Sequence, residues 1–177
     1  MTSRIERRLA ELGVVLPRPP RAIGNFLYGV EHGGLLYLSG TYGTAVDAND
    51  NDYLPIVGKL GADLSIEEGY KSARLMAINH LAMAKAVVQD LDRIERVIRL
   101  LGFVNSAPGF TDQPRVINGA VDLLVQLYGD RGIPTRAAIG CQGLSRNHSV
   151  ELILTVVFTG KDVRRPLART SIKGQLT

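Results

Sequence analysis

An α+β layer fold, with a mixed sheet, two helices on one of its faces and an extra N-terminal helix, is predicted by three observations. Two long stretches carry an apolar stripe at helical spacing behind a helix-start signal. Five short stretches read as strands bounded by turn residues. After the leading helix the order is strand, strand, helix, strand, helix, strand, strand, and two helical stripes can cover one face of such a sheet.

Taken in order, Ser3 and Glu6 form a capping box, and Ile5, Leu9 and Leu12 mark one face of a short helix. It stops at Gly13, before Pro17-Arg18-Pro19-Pro20, which cannot continue it. Residues 27–31 and 35–38 are apolar strands joined through His32-Gly33-Gly34. Residues 46–58 read as a solvated irregular loop. Their Asp/Asn cluster lacks the glycine and the terminal glutamate of a calcium loop in register.

Ser65 and Glu68 open the first long helix, whose stripe is Ile66, Tyr70, Ala73, Ala77, Leu81, Ala84 and Val88. The small alanines let it sit close to a sheet. Residues 97–104 make a strand interrupted at Gly102. The second long helix spans 114–128: Pro114 suits a first turn, Val116, Ala120, Leu123, Leu124 and Leu127 form the stripe, and Gly129 ends it. Residues 136–141 and Val150–Phe158 are expected to close the chain as a hairpin turning through 144–148. On the last strand Val150, Leu152, Leu154, Val156 and Phe158 share one face. On its expected partner Arg136, Ala138 and Gly140 share a side. A sheet with helices on one face and apolar residues on the other is a candidate for self-association.

Length and composition suit one domain, residues 1–160, with a helix and linker over 1–20 and a basic tail over 161–177. Lys161, Arg164, Arg165, Arg169 and Lys173 against Asp162 account for the whole net charge of +4. The body is therefore balanced and carries no basic stripe interleaved with aromatics, which argues against nucleic acid as a partner. One cysteine, Cys141, excludes an intrachain disulfide framework and reads as a structural thiol. His32, His80 and His148 are scattered, so neither a histidine-based metal site nor a histidine triad is expected. The charged N-terminus is unlike a signal peptide, no segment has membrane-span length, and a cytoplasmic setting is the expectation.

Two side chains stand out chemically. Arg136 opens one strand, and fifteen positions later Glu151 lies in an otherwise apolar one, where a carboxylate is costly unless solvated, paired or used. With Ala22-Ile23-Gly24, the Ser39-Gly40 turn, Val116-Ile117-Asn118-Gly119, Pro134-Thr135-Arg136 and Val150-Glu151-Leu152, the chain resembles the reactive-intermediate deaminase family (RidA, YjgF-like, older label endoribonuclease L-PSP). Gly102-Phe103-Val104-Asn105-Ser106, Gly109-Phe110 and Gln113-Pro114 look like a longer-chain branch of it.

The resemblance implies a chorismate-mutase-like fold, a homotrimer with clefts between subunits, and hydrolysis of small enamines or imines to a 2-oxo acid and ammonia without a cofactor. It implies that Arg136 holds a substrate carboxylate and that Glu151 serves the attacking water. Asn118, Ser39, Gly40, Thr41 and Phe26 would line the cleft. Phe26 stands where many relatives carry tyrosine, and Ala138 where many carry cysteine. A planar guanidinium fixes a carboxylate bidentately, and an imine carbon is electrophilic enough for a held water and a modest base. The alternatives are a non-catalytic metabolite-binding trimer and, suggested by the older label alone, a ribonuclease. In the expected hairpin, residue 136 pairs near residue 155, leaving Arg136 and Glu151 on the order of 13 Å apart along the sheet. One chain's Arg136 would then meet another's Glu151.

Overall fold

The computed structural model describes residues 3–21 and 24–160; Ala22-Ile23 and the basic 161–177 tail lie outside the described residues. The first helix, α1 (Arg4–Glu11), begins where Ser3 Oγ accepts from the Glu6 amide at 3.1 Å. The rest of its cap differs from the sequence expectation. Asp92 accepts from the amides of Arg4 (2.7 Å) and Ile5 (2.8 Å), and Glu6 pairs with Lys85 instead. Strands β1 (Gly29–His32) and β2 (Leu35–Thr41) form the expected hairpin.

Residues 46–58 are not simply loop. β3 (Ala45–Val46) and β4 (Asp52–Tyr53) pair as a small ribbon, because Asp47 turns the chain by accepting from the amides of Asn49 and Asn51 at 2.8 Å each. Helix α2 (Ile66–Val88) starts with a complete capping box: Ser65 Oγ accepts from the Glu68 amide (3.2 Å) while Glu68 accepts from the Ser65 amide (2.8 Å). Strand β5 (Ile94–Asn105) is longer than predicted and absorbs two register shifts. Then come α3 (Gln113–Tyr128), β6 (Thr135–Cys141) and β7 (Val150–Phe158).

The five-stranded sheet has the order β1-β2-β7-β5-β6, with β5 and β6 parallel and the other pairs antiparallel. The predicted closing hairpin is therefore absent: β6 and β7 do not pair but flank β5. A strand–helix–strand crossover through α3 returns β6 parallel to β5. β7 then takes the place between β2 and β5, which pairs both edges of this very apolar strand. Residues 142–149 arch over the end of β5, and buried Asn105 pins the arch: its Nδ2 donates to Asn147 Oδ1 (3.0 Å) and to the His148 carbonyl (3.2 Å).

Val150, Leu152, Leu154, Val156 and Phe158 are buried with Leu36, Leu38, Val97, Leu100 and Val104 in the core that includes residues of α2 and α3. They are the helix-facing side of β7. Gly102 is glycine because a Cβ there would lie 2.5 Å from Ile117 Cδ1 of α3. The opposite face carries Tyr37, Ile139, Leu101, Phe103, Ile153 and Val157, and Tyr37 and Ile139 remain 46% and 44% exposed. The apolar outer face that the sequence suggested thus exists, but it is built from the other parity of these strands. Among the described residues, no helix is long and apolar enough to cross a membrane.

Candidate functional site

Glu151 is the second residue of β7, on the outer parity, and is half-buried. Opposite it β2 bulges between Leu38 and Thr41, bringing Gly40 against the carboxylate. A Cβ on Gly40 would collide with Glu151 Oε1, so the Ser39-Gly40 turn is glycine at the position where the acid must lie flat on the backbone. Ser39 braces the neighbouring chain instead. Its hydroxyl donates to the Leu27 carbonyl (2.7 Å), and its amide donates to the Tyr28 carbonyl (3.0 Å). Both bonds hold the 26–28 segment beside the bulge.

These elements line a cavity of about 220 Å³, of a size to take a small molecule. Of the predicted site residues, Phe26, Gly40, Thr41 and Glu151 line it; Ser39 does not. Sequence reasoning missed Tyr28, Tyr42, Asp52, Tyr53 and Arg146, which also line it. Three tyrosines thus surround the space where Phe26 withholds a hydroxyl. Burial, reinforced by the Asp52 charge, pushes the Tyr28 phenol up from its ordinary value, so it stays a neutral donor. Asp52 is held by Arg18 (Nη1–Oδ1 2.9 Å) and by the Arg21 amide (2.9 Å). Arg146 sits in the left-handed region (φ 56°) on the arch, and Tyr42 Oη anchors that arch to Ser145 Oγ at 3.0 Å.

Arg136 and Asn118 are elsewhere. Arg136 Nη1 donates to Asn118 Oδ1 (2.5 Å) and to the Pro114 carbonyl (3.5 Å), on the helix side of the edge strand β6. Its row across the sheet is Leu100 and Leu154, whereas Glu151 shares a row with Phe103 and Ile139. The two side chains therefore leave opposite faces, three residues along and two strands across, about 14 Å apart at the backbone. The expected pairing of residue 136 with 155 is replaced by this geometry, because β5 lies between the two strands.

Two of the three histidines are brought together, while His32 stays at the end of β1. His148 and His80 both come near Glu151. His148 Nε2 lies 3.6 Å from Glu151 Oε2. His80 of α2 is fully buried, with Nδ1 3.0 Å from the Met76 carbonyl, and it senses the Glu151 charge and the carbonyls of Ser39 and Leu152. The spacing His148-x-x-Glu151 was the signal available in the sequence. No group of three or more His, Cys, Asp or Glu side chains is placed to hold a metal among the described residues. Cys141 is half-buried, its thiol 3.4 Å from the Val104 carbonyl, and burial pushes its pKa up, which disfavours the thiolate.

Burial lowers the His80 pKa below its ordinary 6.5, outweighing the neighbours that raise it. The unfolded chain then binds the extra proton first, so this contribution to stability is present above about pH 6.5 and is lost as pH falls through the folded value. Urea unfolding should show stability dropping below pH 6.5 with a slope of up to about 1.4 kcal/mol per pH unit from this one group. His80→Leu should flatten that slope; an unchanged slope would refute the assignment.

Comparison with known proteins agrees with this architecture. The family model described as "YjgF/chorismate mutase-like, putative endoribonuclease" matches residues 6–157. The chain is 36% identical over 152 residues to Protein TCP17 of Trypanosoma cruzi, covering 85% of this chain and 92% of that one. A crystal structure of a protein of unknown function from Agrobacterium tumefaciens is 38% identical, with a TM-score of 0.79 over 88% of this chain and 93% of its own. A "putative endoribonuclease" from Shewanella oneidensis is 29% identical, with a TM-score of 0.81 over 87% and 99%.

Proposed function

This chain belongs to the YjgF/RidA family, and from that premise we propose that it is a homotrimeric hydrolase of small enamines or imines bearing a carboxylate. The products are a 2-oxo acid and ammonia. The observation that carries the reading is the small Glu151 cavity, in which a carboxylate rests on the Gly40 bulge among phenol hydroxyls. Water adds at the imine carbon, the C=N electron pair moves to nitrogen, and Glu151 takes the water's proton. Glu151 returns that proton to the carbinolamine nitrogen, and as the C–N bond breaks the hydroxyl gives its own proton through Glu151 to the departing ammonia, leaving the carbonyl of the 2-oxo acid. Most of the acceleration comes from orientation, since the imine is already reactive.

Arg136 supplies that orientation from a neighbouring protomer. Asn118 fixes one end of its guanidinium and leaves further N–H donors for a substrate carboxylate. The exposed apolar face around Tyr37 and Ile139 supports self-association, and β6, which carries both Ile139 and Arg136, is one of the two edges of that sheet. Subunit mixing tests this directly. Arg136→Ala and Glu151→Gln homotrimers should each be nearly inactive on freshly generated 2-aminoacrylate. Co-refolded at equal amounts they should recover about a quarter of wild-type activity, since random mixing makes about that fraction of sites whole. No recovery on mixing would place the two groups outside a shared site.

A further inference from the structure

His148 is 2% exposed, and its ring packs edge-on against Tyr42, with centroids 4.4 Å apart and planes at 66°. Nδ1 is bonded to the carbonyl oxygen of Ser145. A carbonyl can only accept, so Nδ1 carries a hydrogen. The other ring nitrogen, Nε2, is buried, has no hydrogen-bond partner, and faces Glu151 Oε2 at 3.6 Å. A neutral ring in this tautomer presents a lone pair there, towards a carboxylate oxygen that also only accepts. Two facing acceptors repel, and a buried polar atom left unpaired is costly. One proton placed between them removes both penalties and converts the contact into a charge-assisted pair.

We infer that His148 and Glu151 form a dyad sharing one proton, carried on His148 Nε2, and that His148 is the positioning residue which keeps the Glu151 carboxylate aimed into the cavity. The pair stands on geometry alone; its catalytic consequence rests on the deaminase reading. In that reaction the O–H bond of water breaks towards the free Glu151 oxygen as the O–C bond forms. Glu151 returns that proton to nitrogen; when the C–N bond breaks its electron pair stays on nitrogen, and the carbinolamine hydroxyl gives its remaining proton to the same Glu151 oxygen, which passes it to the departing ammonia. The dyad ends with the single proton it began with.

The surrounding groups favour this state. On the β2 side lie the Tyr42 ring and the Tyr28 phenol, kept neutral by burial. From α2 comes His80, which burial also keeps neutral. The arch brings the Arg146 guanidinium to the same cavity. Across the cavity, Arg21 is paired with Asp50 and Asp52 with Arg18, so neither competes for the dyad. Lys59 is bonded to Asn105 and Gln142 at the other end of the arch, beside the Cys141 thiol.

Imidazole nitrogen–proton correlation spectra at pH 7 test the pair without reference to turnover. The wild-type His148 ring should show hydrogens on both nitrogens. In Glu151→Gln the carboxamide donates to Nε2, so only Nδ1–H should remain. A wild-type spectrum matching Glu151→Gln would overturn the dyad. Kinetics test the consequence: His148→Gln should lower kcat tenfold or more, leave KM within twofold, and remove one limb of the kcat–pH profile. An unchanged profile would overturn the role in turnover, and His148→Phe provides a second reading if the Gln variant fails to fold. A doubly protonated His148 in a protein that hydrolyses no imine would sink the proposed function and keep the dyad.

Discussion

Glu151→Gln should lower imine hydrolysis by about 10²-fold or more while leaving binding of a 2-oxo acid within a few-fold of wild type. The carboxamide fills the same volume over Gly40, so the cavity keeps its shape; only the capacity to take a proton is lost. Steady-state ammonia release from 2-aminoacrylate and from bulkier imino acids measures the first effect, and calorimetric titration with pyruvate measures the second. Unchanged hydrolysis would remove Glu151 from the mechanism. Unchanged binding with absent turnover, for wild type and variant alike, would point to a binding module instead.

The largest effect on stability is expected at Gly119. Its place in the Val116-Ile117-Asn118-Gly119 segment has a packing cause: a Cβ there would run into the Tyr70 carbonyl of α2. The two helices cross with backbones nearly touching, and Gly69, whose Cβ would meet Leu60 and Val116, marks the same approach. Backbone cannot rotate aside as a side chain can, so Gly119→Ala must push α2 and α3 apart. Overpacking of this kind costs about 1–3 kcal/mol, and more where backbone is struck. The melting temperature should fall by several degrees, on the order of 2–4 °C per kcal/mol for a domain of this size. Gly143→Ala is the control, because nothing lies within 4 Å of a Cβ there. Equal melting of the two variants would show that the helix crossing tolerates a methyl.

Asn118 beside it shows how a packing residue and a residue of the proposed site share a segment. Gly119 sets how close α3 comes to α2, and the neighbouring Asn118 accepts from the Arg136 guanidinium through its amide oxygen. Loss of binding on changing Asn118 would follow from a misdirected guanidinium, whereas loss on changing Gly119 would follow from a shifted helix.

Much of this was readable from local patterns. The Ser65–Glu68 box, the stripe of α2, the Pro114 start of α3 and the alternation of β7 are signals within a dozen residues or so, and each element formed where its pattern lies. The odd position of Glu151 in an apolar strand was equally visible. Local patterns, however, say nothing about which strand lies beside which. The residues after β6 read as a hairpin turn, yet they are long enough to arch over β5, and Asn105, which holds that arch, looks in sequence like any strand-end asparagine. The ribbon of β3 and β4 was missed for a related reason: its polar residues resemble a solvated loop until Asp47 folds them back and Asp52 meets Arg18.

By itself, then, the sequence determined the three α-helices and the five strands of the main sheet and singled out Arg136 and Glu151, because capping, periodicity and the cost of an isolated charge are properties of short segments. Only the tertiary structure decided that β7 lies between β2 and β5, that Arg136 and Glu151 leave opposite faces, and that His148 closes on Glu151. Those facts depend on which surfaces must be buried together, and that choice is made across the whole sheet, between residues as distant in the chain as Gly40 and Glu151, rather than within any one segment.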